Sequence, residues 1–128
     1  MFLLDTSALV AHFLREPGSD MVAAMLEGNH AYVAAVSWLE FREILNSKAA
    51  SAELLDIYMG CVAGTVDVTS AVAESAHEIK KACAKRLPNL DALIAGAART
   101  RGFRLIHRDS HFRAIPAKLL AQEMLPAK

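Results

Sequence analysis

The chain has 128 residues, its 14 basic residues balance its 14 acidic ones, and 54% of its residues are hydrophobic. This length suits one domain that buries about two-thirds of its unfolded surface. The charge balance lacks the basic excess typical of nucleic-acid-binding proteins, and no stretch reaches the ~20 apolar residues that span a membrane.

Continuous or alternating apolar runs predict four strands. In chain order these strands cover residues 2–4, 31–35, 65–69 and 103–107. The pattern leaves open whether a further short strand lies near 119–120 or near 124–125.

Helical periodicity, capping residues and breaks at Gly or Pro predict the helices between these strands. They cover residues 7–13 or 7–15, 21–26, 38–46, 53–62, 70–85 and 90–101. The expected N-caps are Thr6 or Ser7, Ser19 or Asp20, Ser37 and Asn89. Strands that alternate with helices predict a three-layer α/β/α fold around a central, mostly parallel sheet of four to five strands.

Four acidic residues lie in apolar sequence where a predicted strand ends or a helix begins. Asp5 follows the first strand, Asp109 follows the fourth, Glu40 lies one turn into a helix and Asp91 begins the last helix. Ligands of an open α/β sheet bind at the carboxyl ends of its strands, so we expect these side chains to converge there. Because clustered carboxylates raise one another's pKa unless a cation lies among them, the pattern predicts a divalent metal.

An oxygen-only set of ligands suits Mg²⁺, and two such ions ~3.5–4 Å apart hydrolyse phosphodiesters. Thr6 and Ser7 are expected to hold a water or a phosphate oxygen beside Asp5. Arg108 is a candidate phosphate contact, and the alternative is a solvated charge beside an acidic rim.

Each carboxylate also has a purely structural interpretation. Asp5 and Asp91 suit helix N-termini, and Asp109 suits a turn with the next residue. Glu40 follows Ser37 by the spacing of a capping box. The sequence leaves these alternatives open.

The ordered motifs resemble a PIN domain. They are Asp-Thr-Ser-Ala-Leu after the first strand, Ser-x-x-Glu after the second, Leu-Pro-x-x-Asp-Ala-Leu-Ile-Ala, and Arg-Asp-x-x-Phe. In size the chain is similar to the VapC toxins of bacterial VapBC toxin–antitoxin pairs, and the likeness runs from Met1 to about Phe112. It departs at His107, where the family commonly has Thr; we interpret His107 as a rim residue or a hydrogen-bond partner rather than a metal ligand.

The resemblance implies a single PIN domain over residues 1–128 that is a Mg²⁺- or Mn²⁺-dependent endoribonuclease acting on single-stranded RNA. It implies a homodimer that is inhibited by a cognate VapB-type antitoxin, whose tail enters the active-site groove. It also implies that the catalytic and metal-binding residues are Asp5, Glu40, Asp91 and Asp109.

Two other functions compete with this one. One is a catalytically weak PIN-like module that only binds a partner. The other is a haloacid-dehalogenase-type phosphatase, which needs an Asp where Ser7 stands. Four other histidines show no metal-ligand spacing and are interpreted as ordinary surface or helix residues: His12, His30, His77 and His111.

Composition also predicts the compartment and the assembly state. Cys61 and Cys83 lie apart in apolar helical stretches, which is typical of small buried residues in a reducing compartment. The apolar start is interrupted by Asp5 and has no basic leader, so we expect no signal peptide and a cytoplasmic protein. The high apolar content predicts an oligomer or a partner interface.

Overall fold

The computed structural model describes all of residues 1–128, and its centre is a five-stranded, all-parallel sheet in the order β3-β2-β1-β4-β5. The strands are β1 Phe2–Leu4, β2 Ala31–Ala34, β3 Gly64–Val66, β4 Arg104–His107 and β5 Gln122–Met124. The predicted parallel sheet is confirmed, and the fifth strand lies near the later of its two candidate positions. β3 ends at Val66 and not at residue 69, because its partner β2 ends opposite Val66.

Six helices flank this sheet, and none of them is long and apolar enough to cross a membrane. They are α1 Thr6–Phe13, α2 Ser19–Glu27, α3 Ala35–Ser47, α4 Glu53–Cys61, α5 Ser70–Ala82 and α6 Asn89–Arg101. A 3-10 turn over Ser110–Ala114 follows β4, where a turn closed by Asp109 was one of the alternatives that the sequence left open. Cys61 ends α4 and is exposed, and Cys83 lies just past α5 and is partly exposed, so the prediction that both are buried is wrong.

Several predicted caps are wrong, because the helices begin earlier than expected. The N-cap positions are Asp5 for α1, Gly18 for α2, Ala34 for α3 and Pro88 for α6, and of these only Asp5 forms a side-chain cap. Gly18 takes a left-handed conformation with φ 95°, which a residue with a side chain rarely adopts. The chain enters α1 and α3 directly from the ends of β1 and β2, so Ser37 falls inside its helix.

The sheet separates two apolar clusters, which confirms the predicted three layers. Leu3 and Leu105 face α5 and α6, whereas Leu4 and Ile106 face α1 to α4. All four side chains are fully buried. α5 and α6 pack very closely, since a Cβ on Gly96 would lie 2.7 Å from the Val72 carbonyl oxygen.

The order of the strands fixes where a ligand can bind. The chain moves outward from β1 to β2 and β3, then returns to add β4 and β5 on the other side of β1. α1 leaves β1 toward one face of the sheet and the 3-10 turn leaves β4 toward the other, so a crevice opens at the carboxyl ends of these two strands. Asp5 and Asp109 follow those strand ends.

Candidate metal centre

A cleft of about 300 Å³ at the carboxyl ends of β1 and β4 brings together all seven residues predicted for the site. These residues are Asp5, Thr6, Ser7, Glu40, Asp91, Arg108 and Asp109. They come from α1, α3, α6 and the segment after β4. The convergence follows from topology, since each segment begins or ends at the same edge of the sheet.

Asp5 is the most buried carboxylate of the cleft, with 4% of its surface exposed. Its Oδ2 caps α1 by accepting hydrogen bonds from the Ser7 backbone N–H at 3.0 Å and from Ser7 Oγ at 2.5 Å. Burial raises the pKa of Asp5 to about 6; the Ser7 bonds oppose this rise, and the charges of Asp91 and Glu40 add to it. Asp5 has no Lys, Arg or His within salt-bridge distance.

Glu40 is held by Thr6 and not by a capping box. Thr6 Oγ1 donates a hydrogen bond of 2.6 Å to Glu40 Oε1. Ser37 lies inside α3, and its Oγ is buried without a hydrogen-bond partner. The capping-box interpretation is therefore wrong, because α3 starts at Ala35 and leaves Ser37 no free helix terminus to cap.

Ser7 links the ends of β1 and β4. Its Oγ donates to Asp5 and accepts the Arg108 backbone N–H at 2.8 Å. The Arg108 guanidinium donates to Glu16 Oε1 at 3.1 Å and to the Pro17 carbonyl, and its side chain is only 10% exposed. Arg108 nevertheless lines the cleft, and its Nε is buried without a hydrogen-bond partner.

Asp91, Asp109 and His111 form a compact group. One ligand atom from each lies within 4.8 Å of the other two. His111 Nδ1 is 3.1 Å from Asp91 Oδ2 and 3.2 Å from Asp109 Oδ1. Burial raises the pKa of Asp91; the charge of Asp109 adds to this rise, and the hydrogen bond from His111 opposes it.

His111 is exposed, as predicted for a surface residue, but its contacts with Asp91 and Asp109 were not predicted. His111 reaches the site because Asp109 Oδ1 accepts its backbone N–H at 2.9 Å, which folds the chain into the 3-10 turn. The Asp-x-His spacing after a strand was the available signal. It was missed because strand and helix periodicity do not predict a turn this short.

His107 is a buried hydrogen-bond partner and not a rim residue. It is 1% exposed, and its Nδ1 accepts the Asp109 backbone N–H at 3.1 Å. The proton therefore resides on Nε2, which donates to Gln122 Oε1 at 2.8 Å. Burial is the largest cause that lowers the pKa of His107, so the ring is neutral and holds the Asp109 backbone in place.

The residues of the cleft fit a divalent cation. Five carboxylates line one small cavity; Glu16 pairs with Arg108 and Lys128, and the other four have no Lys or Arg partner. The most buried of these four, Asp5, has a raised pKa. Oxygen ligands of this kind suit Mg²⁺ and Mn²⁺. His111 adds a nitrogen donor to Asp91 and Asp109, so this group could bind a metal.

Comparisons with known proteins agree with this fold. The PIN domain family model matches residues 2–118. A chain of VapBC2 from Rickettsia felis matches with a TM-score of 0.77 and 19% sequence identity, and 98% of each chain is covered. That structure is bound to a DNA fragment from the VapBC2 promoter. A chain of a toxin–antitoxin complex from Klebsiella pneumoniae matches with a TM-score of 0.73 and 19% sequence identity, and 91% of this chain and 93% of that chain are covered. A chain of DNA-bound VapBC from Salmonella typhimurium matches with a TM-score of 0.71 and 18% sequence identity, and 96% of each chain is covered. No curated protein matches the chain.

Proposed function

The chain belongs to the PIN-domain family, and from this premise we propose that it is a metal-dependent endoribonuclease and the toxin of a toxin–antitoxin pair. The family resemblance predicted from the motifs is confirmed by the match over residues 2–118. One observation carries the proposed activity, namely the four carboxylates that converge in a single cleft. We further propose that residues 1–128 act as one PIN domain.

The carboxylates Asp5, Glu40, Asp91 and Asp109 would hold Mg²⁺ or Mn²⁺. When bound, such an ion lowers the pKa of a water and stabilises the leaving oxygen of a phosphodiester. Because the pKa of Asp5 is raised to about 6, the carboxyl group is protonated below about pH 6. At such pH it must release its proton to become a metal ligand. Ser7 and Thr6 fix the positions of the Asp5 and Glu40 carboxylates, which reduces the ordering that binding requires.

The proposed partners are a VapB-type antitoxin, a second copy of the chain, and RNA. The structural neighbours come from toxin–antitoxin complexes, which supports the first of these. Leu39 on α3 and Ile57 on α4 are exposed by 61% and 58%, which supports an apolar protein interface. We place the protein in the cytoplasm, where RNA and an antitoxin are both present.

The activity is tested with Asp5→Asn and Asp109→Asn, each incubated with single-stranded RNA and Mg²⁺ or Mn²⁺. Both variants are expected to fold and to lose at least about a hundredfold in cleavage rate, because each removes a metal ligand. Asp67→Asn is the matched control, since Asp67 is an exposed Asp outside the cleft.

Unchanged cleavage by either Asp5→Asn or Asp109→Asn would contradict the proposal. Wild-type protein that binds the metal in calorimetry but cleaves no RNA would favour the binding-only module instead.

A further inference from the structure

A second cavity, of about 630 Å³, adjoins the carboxylate cleft and is basic. It lies between the connection from α5 to α6 and the 3-10 turn. Its charged side chains are Lys85, Arg86 and Arg113, and no acidic residue lines it. We call this cavity the basic groove.

The three cations of the basic groove are not neutralised by the protein. Lys85, Arg86 and Arg113 are exposed, and none of them forms a salt bridge. Other cations are already engaged: Arg99 pairs with Glu78, and Arg108 pairs with Glu16. In a chain with no net charge, this groove is therefore a local excess of positive charge that attracts an anion.

His111 joins the basic groove to the carboxylate cleft. It lines the groove, and its Nδ1 also contacts Asp91 and Asp109. A polyanion that lies along the groove would thus have its next unit at the candidate metal centre. The cations would supply the attraction that the carboxylates cannot supply before a metal binds.

We propose that the basic groove binds the phosphates of single-stranded RNA on one side of the bond to be cleaved, an inference that rests on the proposed nuclease function. The non-polar lining consists of Ala84 and Ala114. These small side chains form no pocket for the large apolar or aromatic anchors typical of protein interfaces. A nucleic-acid strand, whose phosphates pair with cations, therefore fits this lining better than an apolar protein surface.

The test is the triple variant Lys85→Gln/Arg86→Gln/Arg113→Gln, titrated against a short fluorescent single-stranded RNA in EDTA so that no cleavage occurs. Anisotropy is measured over a range of salt concentrations. Each lost contact to a single-strand phosphate lowers the slope of log K against log salt by about 0.7, so the slope should fall by about 2. Affinity at low salt should fall by at least about tenfold.

The matched control is Lys48→Gln/Arg104→Gln/Lys118→Gln, which removes the same charge from exposed residues outside both cavities. It should retain the wild-type slope. Arg113→Gln alone should lower the slope by about 0.7, which keeps the test decisive if the triple variant is unstable.

A slope in the triple variant equal to that of wild type would overturn the proposal. So would weaker binding of a polyglutamate peptide with unchanged binding of RNA, because the groove would then recognise protein. Failure of the nuclease proposal is distinguishable, since wild type would bind RNA through the groove yet cleave none after Mg²⁺ or Mn²⁺ is added.

Discussion

The two halves of the carboxylate cleft hold their acids in different ways. The inner half is Asp5 and Glu40, which accept hydrogen bonds from the hydroxyl groups of Ser7 and Thr6. The outer half is Asp91 and Asp109, which share the imidazole of His111. Asp5 is 4% exposed, whereas the Asp109 and His111 side chains are 30% and 55% exposed.

This difference separates positioning from charge compensation. Hydroxyl groups orient the inner carboxylates but carry no charge, so Asp5 is fixed in a buried position with no compensating charge, which raises its pKa. The outer half has a partner that can carry a positive charge, and it opens onto solvent and the basic groove. We therefore expect a bound metal to stabilise the ionised carboxylate of Asp5 most.

The largest expected effect is that of Asp5→Asn, which removes the buried negative charge from the inner half. A pKa raised from 3.8 to about 6 means that the ionised carboxylate lowers the free energy of unfolding of the metal-free protein by about 3 kcal/mol. Asn keeps the N-cap but removes the charge. At pH 7 in EDTA the variant should therefore be more stable than wild type by about this amount in urea unfolding.

The pH dependence of this effect has a defined sign. The folded protein binds the Asp5 proton more tightly than the unfolded chain, so its stabilising contribution is complete below pH 3.8 and is lost as the pH rises through about 6. The gap between Asp5→Asn and wild type should open over that window and then stay constant. Asp109→Asn is the control, because it removes the same charge from the more exposed outer half. An Asp5→Asn variant that is less stable than wild type at pH 7 would refute the claim that ionised Asp5 destabilises the metal-free protein.

The inner and outer halves also differ in how far the sequence could predict them. Asp5 and Asp109 follow β1 and β4, and parallel strands bring such residues to one edge whatever the side-chain details. Glu40 was ambiguous, because the Ser37 to Glu40 spacing is identical in a capping box and in the interior of a helix. Only the position where β2 ends, at Ala34, decides between them.

The contacts of His111 and the support of Asp109 were missed for a different reason. The 3-10 turn that carries His111 has no periodicity, and the contact from His107 to Gln122 requires the pairing of β4 with β5. Such pairing joins segments with no local sequence signal, and the position of the fifth strand was itself ambiguous. Long-range contacts of this kind come from packing and not from local propensity.

A second variant, Thr6→Val, loosens the inner half without removing a ligand. Val keeps the shape of Thr6 but cannot donate to Glu40 Oε1. Loss of a partner that orients a metal ligand typically lowers affinity by about 10–100-fold, and we expect this for Mn²⁺ in calorimetry. Thr100→Val is the control, since Thr100 donates only to the carbonyl of Ala97 on α6. Unchanged Mn²⁺ affinity in Thr6→Val would show that Glu40 needs no hydroxyl partner.

A third variant, His111→Ala, tests the outer half through metal preference. Imidazole suits transition metals better than Mg²⁺, which prefers oxygen. If His111 becomes a ligand, the variant should lose about tenfold in Mn²⁺ affinity and less in Mg²⁺ affinity. His77→Ala is the control, because His77 is exposed on α5 outside the cleft. Equal losses for the two metals would instead assign His111 a purely electrostatic role.

The smallest expected effect, that of Ser37→Ala, separates Glu40 from its sequence neighbour. A capping box predicts that this change lowers the free energy of unfolding, since it would remove a helix cap. In the structure the Ser37 hydroxyl is fully buried and unpaired, so its removal should raise that free energy by about 1 kcal/mol. Mn²⁺ affinity should stay at the wild-type value, because Thr6 and not Ser37 holds the Glu40 carboxylate. A destabilised variant with weakened Mn²⁺ binding would show instead that Ser37 and Glu40 form a capping box and that Thr6 does not position Glu40.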